Sequence, residues 1–471
     1  MTIESTADMA LTAHLLRRAG FGSDRAELER YAKRNYEDVV EDLLNPDRFD
    51  EPEDDVLARF YPQLHSGKDA LGCWNGRWFY RMVNTERPLE EKMTLFWHGV
   101  FATGWTKSEH TPTMVDHIQM LRENCLGNFR TLLLGISRDP AMIFWLDNNE
   151  NHGTAINENY GREILELFSM GIGNYSEDDI KSAARAFTGW TYEQPIPLYP
   201  YGQRSVQYRF RPDDHDYGEK TFLGHSGNFD GGDVIDIIAR QEATARFISR
   251  HLYNFFVADE AQVPAWSIEP PSDQQAIDDL VKTWMDSDAD IRALLRTLFT
   301  SEWFKAARFK HVKSPTEFVA GVLKLSGEYS EPAPDLHKLE STIIAMGQKL
   351  MDPPSVEGWH TGKEWIDGGT LTERVNYAVD TLNDSSKPGV KAIVDRIRAV
   401  SDSTTPVGLV DQVLDLVGPL VLESATKEAL VAHAETGGSL DWGSEEAVER
   451  STARVVQMLT LVVSAREFQF A

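Results

Sequence analysis

The chain has 471 residues, with 74 Asp and Glu against 47 Lys and Arg, a formal charge of −27. That charge repels phosphate backbones and anionic lipid, which argues against nucleic acid and membrane surfaces as partners. With 41% hydrophobic residues the chain can build a real core, so it is not a disordered acidic tail. The length fits two or three domains or one large helical unit. The N-terminus shows no basic segment followed by an apolar one, and no stretch approaches the ~18 apolar residues of a membrane span. Cys73 and Cys125 lie far apart and form no CxxC. These features predict a soluble, cytoplasmic protein without a disulfide framework.

In chain order, helical periodicity dominates. Short helices are expected over 11–19 and 24–44, broken at Gly20-Phe21-Gly22 and ended by Asn45-Pro46. Residues 47–62 are acidic and contain Pro, as in a loop. From Pro88 to Ala102, Leu89, Met93, Phe96 and Val100 form one stripe, and Glu91, Leu95, His98 and Ala102 the opposite one. Apolar residues on both faces predict a buried helix. Further helices are expected over 113–135, 139–147, 158–170 and 177–188, the last opened by a capping box of Ser176 and Asp179. Residues 191–224 are rich in Tyr, Pro and Gly and alternate over Val206–Phe210, which predicts a β-hairpin or irregular insertion. Helices resume over 233–258, 272–286, 289–301 and 314–327. Beyond a Pro/Gly/Trp-rich stretch at 352–359, they continue over 389–400, 407–417, 422–435 and 445–464. The expected fold is mainly α and multi-helical. A main helical domain with the β insertion spans 1–382, and a C-terminal helical bundle packed on it spans 389–471, across a linker near Asn383–Pro388.

Several segments recur together: Leu15-Leu16-Arg17-Arg18-Ala19-Gly20-Phe21-Gly22, Glu91-Lys92-Met93-Thr94-Leu95-Phe96-Trp97-His98, and Asp139-Pro140-Ala141-Met142 leading to Leu146-Asp147-Asn148. The most specific block runs from Asn157 through Glu158-Asn159-Tyr160-Gly161-Arg162-Glu163-Ile164-Leu165-Glu166-Leu167-Phe168 to Thr188-Gly189-Trp190. His215-Asp216, Pro353-Pro354 with Gly358-Trp359, and Glu467-Phe468-Gln469-Phe470 follow. In this order, over nearly the whole chain, they resemble a bacterial family known only as domain of unknown function 1800. The resemblance implies little about activity. Many similar proteins look exported and are encoded beside a phosphatase-like family, which implies a phosphatase-like partner. Similar proteins often carry His two residues after His98, where this chain has Val100.

Two patterns point to chemistry. Counted from Asp147, oxygen side chains fall at positions 1, 3 and 5 (Asp147, Asn149, Asn151), and Glu158 stands at position 12. That is the EF-hand spacing for a hard cation such as calcium. Position 6 is His152 rather than the turn-forming Gly, so an Asx-rich turn that caps its own backbone reads equally from this pattern. On the following helix Asn159, Glu163 and Glu166 share a face. Glu158 and Arg162 are spaced to pair, and Arg162 can clamp a carboxylate or phosphate. His98 is either a satisfied core histidine or a metal ligand or general base, and Glu91 or a backbone carbonyl would hold its second nitrogen. His215 with Asp216 is either a capped turn or a divalent-ion or proton-shuttle pair.

Two functions follow as expectations. One is a divalent-metal enzyme, hydrolase-like or an iron-dependent oxidase or hydroxylase, loaded with calcium, manganese, zinc or iron. Asp147, Asn149, Asn151 and Glu158 would hold metal, with His98, Arg162, Glu163, His215 and Asp216 as catalytic groups. The other is a non-catalytic helical scaffold or partner-binding protein with a structural calcium loop. Residues 140–180 hold eight acids and one base, Arg162, so charge is concentrated where a cation would bind.

Overall fold

A computed structural model describes residues 3–53, 56–57, 59, 70–193 and 206–471. The fold is mainly α, and the strands among the described residues form three separate two-stranded antiparallel sheets. No helix among these residues is long and apolar enough to cross a membrane.

The expected helices appear, several of them split. The segment 24–44 becomes Arg25–Tyr31 and Tyr36–Leu44, because the Asn35 side chain accepts from the amides of Glu37 and Asp38 and starts a new helix. The segment 113–135 becomes Thr111–Asn124 and Phe129–Arg138, restarted by Asn128. The segment 233–258 becomes Gly231–Ala239 and Glu242–Phe256. Helices Ala70–Asn84 and Gly368–Leu382 were not expected from periodicity. The capping box at Ser176 and Asp179 is formed in both directions. The insertion pairs Trp190–Glu193 with Gln207–Phe210, and Lys220–Phe222 with His225–Gly227. The intervening residues 194–205, and most of the expected loop over 54–62, lie outside the described residues.

Helix Pro88–Val100 is buried on both faces, with Leu89, Met93, Leu95, Phe96 and Trp97 all in the core. Each such side chain contributes about 1.5–3 kcal/mol on burial. Trp97 stacks on Phe101 at 5.3 Å, and its indole N–H donates to the Cys125 carbonyl. Two close approaches explain small residues in the family-like blocks. A Cβ on Gly161 would lie 2.8 Å from the Ala184 amide nitrogen, so Asn159–Glu166 crosses Glu177–Ala186 backbone to backbone. Gly358 has φ +81 and lies against the Gly99 carbonyl, so it seats the 352–359 stretch on the end of Pro88–Val100.

The C-terminal helices Pro388–Val400, Pro406–Leu416 and Glu445–Ser464 share one hydrophobic cluster with the rest of the chain. The segment expected as a linker is anchored. Lys387 pairs with Glu328 at 2.7 Å, and Gly389 lies against the backbone of Leu325 and Ser326.

Candidate functional site

A cavity of about 580 Å³ opens at the C-terminal end of helix Pro88–Val100. Gly99 and Val100 form its base, with Leu167, Met170, Phe247 and Trp266 among its apolar walls. Glu166, Glu357, Arg246, Arg250 and His251 supply its polar lining. An inner chamber of about 90 Å³ shares Gly99, Val100, His251, Val263 and Glu357 with it and continues toward Trp359, His311 and Gln348. At the rim Ile268 is 83% exposed and Ile172 48%.

The cationic groups of this cleft are already used. Arg250 is paired with Glu260 at 2.7 Å, and Arg246 with Asp278 at 2.9 Å and Glu242 at 3.2 Å. The carboxylates differ. Among the described residues, Glu166 accepts only the Tyr175 hydroxyl at 2.9 Å, and neither Glu163 nor Glu357 has an ion pair or side-chain hydrogen bond. Glu163 lies one turn before Glu166. Burial, then the neighbouring charges of Glu166 and Glu357, push its carboxyl up to about 7. His251 is wedged between Phe247 and Trp266, each 4.6 Å away, and its Nε2 has no hydrogen-bond partner. Burial and the adjacent Arg250 hold it down at about 3, so it is neutral.

The other sequence-derived candidates are held elsewhere. Asp147 pairs with Lys107 at 2.6 Å. Asn151 is buried. Its Oδ1 accepts the Asn157 amide at 3.0 Å, and its Nδ2 donates to the Ala184 carbonyl at 2.8 Å. Asn149 donates to Glu150. Glu158 stands at the start of helix Asn159–Glu166, 3.8 Å from Arg162, and Arg162 makes a fork of two bonds to Glu177. The position-6 residue, His152, bonds Asp214 at 2.6 Å and ties the loop to the insertion. Asp147 Oδ1 and Asn151 Oδ1 are thus engaged within the protein, as in a polar turn that caps its own backbone, whereas the buried Asn149 Oδ1 has no hydrogen-bond partner.

His98 Nε2 accepts the Met351 amide at 2.9 Å. The bond places the ring proton on Nδ1, so neither nitrogen offers a free lone pair. Burial, then the nearby His117, keeps the ring neutral. Glu91 does not hold it, because that buried carboxylate is saturated by Arg81, Arg122 and the Trp78 indole. His98 therefore acts on structure. Met351 sits at φ +59, and its fixation orients the segment that carries Glu357 and Trp359 into the cleft. His117 bonds Asp139, and its Nε2 is unpartnered, as is His98 Nδ1. With the rings 6.0 Å apart, these atoms are suited to one bridging water.

His215 Nδ1 donates to the Thr188 carbonyl at 2.9 Å, and Asp216 takes a two-bond fork from Arg185. Together they fasten the insertion to the end of helix Glu177–Ala186. His98, Glu163 and His215 share no hydrogen bond, ion pair or ring contact with one another. Among the described residues no three His, Cys, Asp or Glu side chains are placed to hold a metal ion.

Sequence reasoning missed Glu357, His251 and Trp266, which come from loops or helices far from the Glu163 block. The sequence marks 352–359 only as a Pro/Gly/Trp-rich stretch between helices. No curated protein and no solved structure matches the chain. The model of a family described as protein of unknown function (DUF1800) matches residues 14–470, and the chain belongs to that family.

Proposed function

We propose that the cleft is the active site of a hydrolase-like enzyme acting on an organic cation. The supporting observation is that Glu166 and Glu357 line the cleft without an ion pair among the described residues, with Glu163 behind them near enough to feel both charges, while Arg246 and Arg250 are neutralised by their own acids. The negative field attracts a cation, and Phe247, Trp266 and Trp359 suit an organic one. A carboxyl that titrates near 7 can accept a proton from attacking water and return it to a leaving group at neutral pH. Cys73 and Cys125, buried and outside any disulfide, fit a cytoplasmic setting.

The test uses 4-nitrophenyl esters that carry a quaternary ammonium group. Saturable release of nitrophenolate that is lost in Glu163→Gln and weakened through KM in Glu357→Gln supports the reading. Release that is unaffected by both, or absent although the same probe binds outside the cleft, contradicts it. Binding without turnover favours a second reading, a partner-binding protein. The exposed rim residues Ile172 and Ile268 support that alternative, with a phosphatase-like protein as the partner the family resemblance implies.

A further inference from the structure

A second charged cluster, independent of the cleft, is buried around Glu317. Lys92 bonds Glu317 and the Gly20 carbonyl (2.9 Å), and both side chains are shut off from solvent. Arg18 lies 3.8 Å from the same carboxylate and donates to the Phe255 and Phe256 carbonyls. His311 lies 3.6 Å from Glu317 and 2.7 Å from Asp259. Burial opposes ionisation of Glu317, but Lys92, His311 and Arg18 prevail and hold it well below the ordinary carboxylate range.

Three more cations stand in this region without an acid of their own. Lys313 donates to the Phe468 carbonyl at 2.7 Å and lies over that ring at 4.3 Å. Arg374 is fully buried and donates Nη1 to the Lys313 carbonyl at 3.0 Å. Arg17 donates Nη1 to the Gly418 carbonyl at 2.6 Å. Arg17 and Arg374 each leave Nε and Nη2 buried without an acceptor. Five cationic side chains (Arg17, Arg18, Lys92, Lys313, Arg374) thus face two side-chain carboxylates, Glu317 and Asp259. An uncompensated buried charge is among the costliest features a fold can carry. Water would satisfy the free N–H groups but not the charge. Burial lowers Lys313 to about 7, so it can shed its proton, but a guanidinium does not do so in a protein, and neutralisation of Arg17 and Arg374 has to come from an anion.

A cavity of about 50 Å³ opens at this place between Arg17, Lys313 and Glu317, walled by Phe21, Phe318 and Phe468. We propose that this chamber binds a small oxyanion (a phosphate, sulfate or carboxylate group) between Arg17 and Lys313, with Arg374 behind Lys313 adding its charge. Glu317 does not block it, because its own charge is spent on Lys92 and Arg18.

The test is thermal melting of the full chain, titrated with sodium phosphate or sulfate against sodium chloride at matched ionic strength. The expected result is a rise of about 2 °C or more for the oxyanions over chloride, abolished in Lys313→Met. In chloride alone Lys313→Met melts higher than the parent, because it removes an uncompensated charge; a purely structural lysine would give the opposite sign. Ala471 also lines the chamber, so the titration is repeated on a chain lengthened beyond it. A response in the 471-residue chain identifies a free ion. A response only in the lengthened chain identifies a carboxylate carried by this segment. Equal melting in oxyanion and chloride for both chains overturns the proposal.

Discussion

The loop Asp147–Glu158 and the acids beside the cleft, Glu163, Glu166 and Glu357, are both acidic, and Glu163 and Glu166 follow the loop directly in sequence, yet the two groups differ in how far they are paired. In the loop, Asp147 is paired with Lys107 and Asn151 with backbone groups, and Glu158 lies near Arg162. Beside the cleft Glu163 and Glu357 have no ion pair or side-chain hydrogen bond among the described residues, and burial with the charges of Glu166 and Glu357 raises the proton affinity of Glu163. A ligand-like spacing therefore identifies residue types, whereas a site needs lone pairs that the fold has left unused. Saturation turns polar residues into structure, and its absence next to a cavity leaves them available for chemistry.

The largest effect that can sharpen this contrast lies in the most saturated carboxylate. Glu91→Ala removes the buried carboxylate shared by Arg81, Arg122 and the Trp78 indole and should cost about 3–5 kcal/mol in urea unfolding. In the loop, Asn151→Ala leaves the Asn157 amide and the Ala184 carbonyl without partners and should cost about 2 kcal/mol. A loss below about 0.5 kcal/mol there would show that the loop oxygens are not engaged as described. Millimolar calcium should leave the melting temperature of the parent chain unchanged, and a rise would restore the EF-hand reading of Asp147, Asn149, Asn151 and Glu158.

At the cleft edge the sign reverses. Glu163 is raised above its unfolded value near 4.5, so the folded state binds the extra proton. Its contribution is favourable below the unfolded pKa. It is lost as pH rises through about 7, above which the ionised form carries a penalty. Glu163→Gln should therefore be neutral at pH 4 and stabilising at pH 8, by about 1 kcal/mol or less once solvent screening of a partly exposed group is counted. The smallest effect on stability belongs to the rim. Ile268→Ser should stay within about 0.5 kcal/mol of the parent while weakening capture of the ammonium probe.

Helical content was legible because 3.6-residue periodicity and caps such as Ser176/Asp179 are local. Breaks at Asn35 and Asn128 were not read, since a single side-chain acceptor outweighed continuous apolar spacing. Glu163 was legible as one member of a polar face. Its cleft partner Glu357 was not, because residue 357 reaches it only after Gly358 packs on Gly99 and His98 fixes Met351. The sequence also brought His98 and His215 forward as chemical groups, and nothing local could show that the Met351 amide occupies Nε2 of His98 and Thr188 occupies Nδ1 of His215.

Carbon-13 NMR of glutamate side-chain carboxyls, titrated from pH 3 to 9 in the parent and in Glu163→Gln, tests the open state of the cleft most directly. Two resonances should move with midpoints of about 7, those of Glu163 and of half-buried Glu90, and one of them should vanish in the variant. Loss in the variant of a resonance with an ordinary midpoint near 4.5 would mean that Glu163 is solvated or paired, and that the cleft edge is as closed as the loop.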